Sequence, residues 1–191
     1  MSFCVRNSSG GEGTSNNCTN LNIWTPGTDG KKRAVMVWLH GGGFSTGSAN
    51  ETMYDGENLS RTQDVVVVGV NHRLNVFGHL DLSSFGEKYK YSANAGMSDI
   101  VDALLWIQNN ISQFGGNPNN VTIFGESGGG AKVLAMMTSP KAKGLFHKAI
   151  NESGATENGR DIPLLIGSNL NEWTSSRHSA FDQLVRYAFV A

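Results

Sequence analysis

The sequence predicts an α/β fold, a mostly parallel sheet flanked by helices. Three observations carry that expectation. Short continuous runs of β-forming apolar residues recur at 34–39, 64–70 and 121–124, the pattern of strands buried on both faces. Between the second and third runs, Met97, Ile100, Val101, Leu104, Ile107, Ile111 and Phe114 fall at helical spacing and give one apolar face. Buried strands alternating with such helices indicate parallel connections within a single sheet.

Taken in order, residues 1–19 are polar and rich in Gly, Ser and Asn, so a poorly ordered start is expected, with the folded domain at 20–191. Residues 21–24 read as a short strand, antiparallel at one edge of the sheet, closed by the turn cluster TPGTDG at 25–30. The run at 34–39 lies between a basic stretch and Gly41-Gly42-Gly43. Residues 64–70 are the clearest strand, four consecutive valines among them. The helix over 97–114 stops at Gly115-Gly116-Asn117-Pro118, a glycine stop followed by proline. A third strand at 121–124 leads through Gly125-Glu126-Ser127 to a helix over 131–137. Residues 147–151 and 162–166 are further strand candidates. A terminal amphipathic helix is expected over 181–189, with Phe181, Leu184, Val185 and Phe189 on one side.

Composition bounds the function. A chain of 191 residues is about one domain. Its 15 Lys+Arg balance 16 Asp+Glu for a net charge of −1, which excludes a polybasic nucleic-acid binder. No apolar run approaches the ~20 residues of a membrane-spanning helix. The N-terminus lacks a charged segment followed by an apolar one, so no secretory signal is expected and the compartment stays open. Cys4 and Cys18 match no metal-ligand spacing, and no metal or cofactor is expected. Glycine, at 24 residues, exceeds the average share of roughly 7%. It clusters at 41–43 and 128–130, where something must approach the backbone closely.

Both clusters sit where chemistry is expected. Gly125-Glu126-Ser127-Gly128-Gly129 follows a strand and precedes a helix, the context that a Gly-x-Ser-x-Gly nucleophile turn requires. The flanking glycines let neighbouring backbone pass, the turn lifts the Ser127 hydroxyl clear, and the helix N-terminus favours developing negative charge. His40-Gly41-Gly42-Gly43-Phe44 follows the strand at 34–39 and can offer unobstructed backbone N–H groups to the oxyanion of an acyl-transfer intermediate. A plain flexible turn and a phosphate cradle are the competing readings, and the Gly-Lys-Ser/Thr that Walker-type phosphate binding needs is missing.

With these motifs in place the sequence resembles the type-B carboxylesterase and cholinesterase family of the α/β-hydrolase fold. Matching blocks are NLNIWTP (20–26), WLHGGGF (38–44), NHRLNVFG (71–78), NAGMSD (94–99), QFGGNP (113–118), residues 121–130, NESGA (151–155) and IPLLIGSNLNE (162–172). The resemblance implies an abbreviated α/β-hydrolase core hydrolysing small-molecule carboxylic esters through Ser127. Glu172 would be the acid that orients a histidine, and the N–H groups of Gly42, Gly43 and Gly128 the oxyanion donors. Arg73 and Asp99 correspond to a buried structural ion pair, and Glu126 is read as structural.

This sequence departs from the family in three places. Gly128 stands where the family usually has alanine. Only residues 156–161 bridge a position where the family carries a long helical stretch, so the chain reads as a shortened member. The family's histidine motif is not found either. His178, six residues beyond Glu172, is the candidate general base, with an exposed loop histidine as its plainer reading. His40, His72, His79 and His147 do not have the expected chain position. Two alternatives to an active esterase follow: a non-catalytic binding or adhesion relative, and a fragment without function.

Overall fold

Hydrophobic runs and glycine stops set the frame of the sheet. The computed structural model describes residues 19–154, together with the backbone of residues 164–167 and 188–189. Within these described residues seven strands form one sheet: β1 (Asn20–Trp24), β2 (Arg33–Leu39), β3 (Val66–Asn71), β4 (Gly116–Glu126), β5 (Lys148–Glu152), β6 (Leu164–Gly167) and β7 (Ala188–Phe189), in the order β1-β3-β2-β4-β5-β6-β7. Pairings from β3 through β2, β4 and β5 to β6 are parallel; β1 and β7 run antiparallel at the two edges. The antiparallel edge expected for residues 21–24 is therefore present, with Leu21 opposite Val70 and Ile23 opposite Val68.

Among the described residues four α-helices accompany the strands: α1 (Glu57–Gln63), α2 (Asn75–His79), α3 (Ala95–Asn110) and α4 (Gly128–Thr138). The α3 helix tightens into a 3-10 turn over Ile111–Phe114 and ends at Gly115 with φ 77°, the left-handed stop read from the sequence. Its Ile100, Leu104, Ile107 and Ile111 pack with Val133 and Met136 of α4 against Val35, Val37, Val68 and Ile123 of the sheet. Full burial of each such side chain stabilises the fold by roughly 1.5–3 kcal/mol, and this face holds the main core.

The opposite face differs from the sequence expectation. All of β3 is buried, but β2 alternates, with Val35, Val37 and Leu39 buried and Ala34, Met36 and Trp38 half-buried. Among the described residues α1 is the helix on that side, and it covers the β1–β3 end, where Gly56 lies against Trp24 and Val67. Neither α1 nor the short α2 was expected from the sequence. In α1 only Ser60 is buried, so it has no apolar period to detect. The helix expected over 181–189 also differs at its end. Ala188 and Phe189 instead pair with Ile166 and Leu165, satisfying backbone groups along the outer edge of β6; residues 181–187 lie outside the described part, as do residues 1–18. No helix among the described residues is long and apolar enough to cross a membrane.

The ion pair expected between Arg73 and Asp99 is formed. Arg73 Nη2 donates to Asp99 Oδ1 at 2.6 Å, and Nε and the backbone N–H both donate to Oδ2, at 2.8 and 2.9 Å. Asp99 is buried and Arg73 about one-quarter exposed. The carboxylate raises the Arg73 pKa above its ordinary value. This fork ties the β3–α2 connection to the N-terminal half of α3.

Candidate active site

Ser127 sits between the end of β4 and the start of α4, with φ 55° and ψ −119°. That conformation is strained for a residue with a Cβ. Two hydrogen bonds fix the turn: the Ser127 N–H donates to Glu152 O at 2.9 Å, and the Ala131 N–H donates to Ser127 O at 3.1 Å. The residue itself is exposed, while Gly128, Gly129 and Gly130 behind it are buried. Sterics explain the glycines. A Cβ on Gly125 would meet Gly129 C at 2.6 Å and Leu39 O at 2.7 Å, and one on Gly129 would run into the Leu39 carbonyl. Strand β2 and helix α4 thus cross at backbone contact beneath the serine.

The two glycine clusters meet in space. A Cβ on Gly128 would overlap the backbone of Gly43, so the alanine usual in the family could not occupy this position without moving the loop. Gly42 and Gly43 have φ 79° and 64°. The Gly42 carbonyl accepts from the N–H groups of Ser45 at 3.4 Å and Thr46 at 3.2 Å, which turns the loop back on itself. No hydrogen-bond partner for the N–H groups of Gly42, Gly43 and Gly128 occurs among the described residues. Unpaired donors gathered at a helix N-terminus suit an anionic oxygen.

Beneath the loop lies a buried polar layer. His40 and His72 stack with ring centroids 5.0 Å apart and are almost fully buried. Burial lowers the His40 pKa to about 4, and burial together with Lys132 and His40 puts His72 well below its ordinary value. Both rings are therefore neutral near pH 7. Lys132, on α4, is 0% exposed and donates from Nζ to His40 O at 2.8 Å. Desolvation lowers its pKa to about 7.

Lys132 was missed by the sequence reading, though a signal existed. It stands one helical turn after Gly128 and one before Met136, and all three are buried. His79 packs edge-on against Phe44. His147 accepts from the Val121 N–H through Nδ1 at 3.2 Å, at the opposite end of β4 from Ser127. Glu126 lies against the loop, its Oε2 3.2 Å from where a Gly41 Cβ would be. Glu172 and His178 lie outside the described residues, as do Cys4 and Cys18.

A cleft of about 410 Å³ lies elsewhere, lined by Leu21, Ile23, Asp99, Asp102, Ala103 and Trp106 among others. None of Ser127, Gly42, Gly43 and Gly128 lines it, and the candidate site remains the Ser127 turn. Among the described residues no three His, Cys, Asp or Glu side chains gather as a metal site.

A parallel sheet whose strand β4 ends in a strained serine at a helix N-terminus, beside a glycine loop after β2, defines an α/β-hydrolase core. Solved structures agree: a carboxylesterase from Geobacillus stearothermophilus superposes with TM-score 0.76 at 49% identity, over 79% of this chain and 31% of that one. A para-nitrobenzyl esterase structure superposes with TM-score 0.74 at 46% identity, over 83% and 33%. The sequence model of the carboxylesterase family matches residues 2–182, and the chain belongs to that family. Para-nitrobenzyl esterase of Bacillus subtilis (strain 168) is 51% identical over 142 residues, 74% of this chain and 29% of the relative. Carboxylesterase 3B of Mus musculus is 50% identical over 168 residues, 87% and 27%. The chain spans less than a third of the length of these curated relatives.

Proposed function

We propose that this chain hydrolyses small-molecule carboxylic esters through an acyl-enzyme on Ser127. The observation that carries the reading is the Ser127 turn, a strained, exposed serine at the N-terminus of α4 with the Gly43 backbone against Gly128. In the first step Ser127 Oγ bonds to the ester carbonyl carbon while its proton passes to a general base. The carbonyl oxygen becomes an oxyanion facing the N–H groups of Gly42, Gly43 and Gly128. Each well-placed donor of this kind supplies on the order of 3 kcal/mol of transition-state stabilisation. Collapse breaks the bond to the alcohol oxygen, which takes the proton from the base. Water then adds to the acyl-serine with proton transfer to the same base, and the acid leaves as Ser127 regains its proton. His178 is the candidate base and Glu172 the acid that would hold its ring in the required tautomer.

Labelling of the purified chain by a fluorophosphonate probe tests the reading. Labelling that disappears in Ser127→Ala is expected; a cooperatively unfolding chain that takes no label overturns it. In the same assay His178→Ala abolishes labelling if His178 is the base, and unchanged labelling removes it from the site.

A further inference from the structure

Lys132 heads the largest fully buried side chains, and no ion pair holds it among the described residues. Burying an amine without a counter-ion is costly, so its contacts must account for its place. Among the described residues its amine makes two contacts, and they fall on either side of the glycine loop. Nζ donates to the carbonyl of His40, the residue before Gly41, at 2.8 Å. It also lies 5.7 Å from the ring centroid of Phe44, the residue after Gly43, within reach of a cation–π interaction.

Three successive glycines have no side chains to hold them, and glycine loses the most backbone freedom on ordering. The other contacts come from the loop itself and from the start of α2, beginning with His40 Nδ1 at 2.9 Å from Gly41 O. Ser45 and Thr46 close on the Gly42 carbonyl, and the Asn75 N–H donates to Phe44 O at 2.7 Å. The stretch from His40 to Gly42 has Lys132 beneath it.

We propose that Lys132 is a positioning residue, a clamp from α4 that ties His40 to Phe44 and keeps the N–H groups of Gly42 and Gly43 beside Ser127. The effect on acylation rests on the esterase reading above; the clamp itself does not. An N–H for His40 O is retained by the amine in either protonation state, so the hydrogen bond persists across neutral pH.

Lys132→Met keeps the length and packing of the side chain and removes the donor and the cation. Hydrogen exchange of the full chain reads the clamp directly. The amides of Ser45 and Thr46, whose N–H groups are hydrogen-bonded to the Gly42 carbonyl, are expected to exchange about tenfold faster in the variant, the loss of roughly one hydrogen bond, with the rest of the sheet unchanged. Phe44→Leu, at a more exposed position, shifts exchange in the same direction by less. Fluorophosphonate labelling then reads the consequence: the limiting rate falls about tenfold or more, as for a weakened oxyanion site, while probe affinity is kept and thermal stability does not fall. Unchanged exchange at Ser45 and Thr46 in a folded Lys132→Met overturns the clamp. Faster exchange with an unchanged labelling rate overturns its role in acylation. A wild-type chain that takes no label refutes the esterase reading, and the exchange result still decides the clamp.

Discussion

Replacing Ser127 by glycine makes the fold more stable than replacing it by alanine, although both changes remove the same hydroxyl. The reasoning starts from φ 55° and ψ −119° at Ser127, a region that residues with a Cβ enter at a cost of ~1–3 kcal/mol. Alanine keeps that Cβ and that cost. Glycine releases it, and gives back ~0.4–1 kcal/mol through the greater freedom of its unfolded chain. The difference, ~0.5–2 kcal/mol in favour of Ser127→Gly, corresponds to a rise in melting temperature of ~2–6 °C for a chain of this size. Loss of the hydroxyl contributes little, because Ser127 is exposed. Thermal or urea unfolding of the two variants side by side measures the difference, and neither should take the fluorophosphonate label. A Ser127→Gly melting temperature equal to or below that of Ser127→Ala would falsify the claim that the turn stores backbone strain.

Gly129→Ala should be severely destabilising. The new methyl adds up to ~1 kcal/mol of helix propensity, but it meets the Leu39 carbonyl and stands 3.2 Å from His40 C. Overpacking against backbone of this kind costs ~3 kcal/mol or more, so a urea midpoint at the wild-type value would contradict the crossing of β2 and α4. Stability should also rise with pH above neutrality on account of Lys132. Its pKa is about 7 in the fold against an ordinary 10.5, so between those values the unfolded chain binds a proton that the folded chain does not. The gain, at most ~5 kcal/mol, is complete above the unfolded pKa and is lost as pH falls through the folded one. Urea unfolding at pH 7 and pH 9.5 should show this rise in the wild type and a flattened one in Lys132→Met; equal slopes would remove Lys132 as its source.

Much of the sheet was legible because its signals are local. The valine run of β3, the apolar face of α3 and the Gly115 stop each depend on residues within a few positions of one another, and each forms where expected. The pair Arg73–Asp99 was legible through the family resemblance. The half-open face of β2 was not, since a continuous apolar run reads the same whether one or both faces are covered, and cover depends on where α1 settles. Nor was α1, whose residues carry no apolar period. The serine turn was legible as a strand, a Gly-x-Ser-x-Gly and a helix, while the burial of Lys132 was hidden by its charge.

By itself, then, the sequence determined the α/β class, the order of the parallel strands' signals and the two glycine clusters, because sterics and side-chain periodicity act along the chain. Only the tertiary structure decided that the clusters touch, with Gly43 against Gly128, and that a lysine from α4 lies beneath them with its amine on His40 and Phe44. Those contacts join residues 85, 92 and 88 positions apart. They exist because β2 and β4 are neighbours in the sheet, so their ends deliver loop and helix to the same point, and no local rule fixes that adjacency.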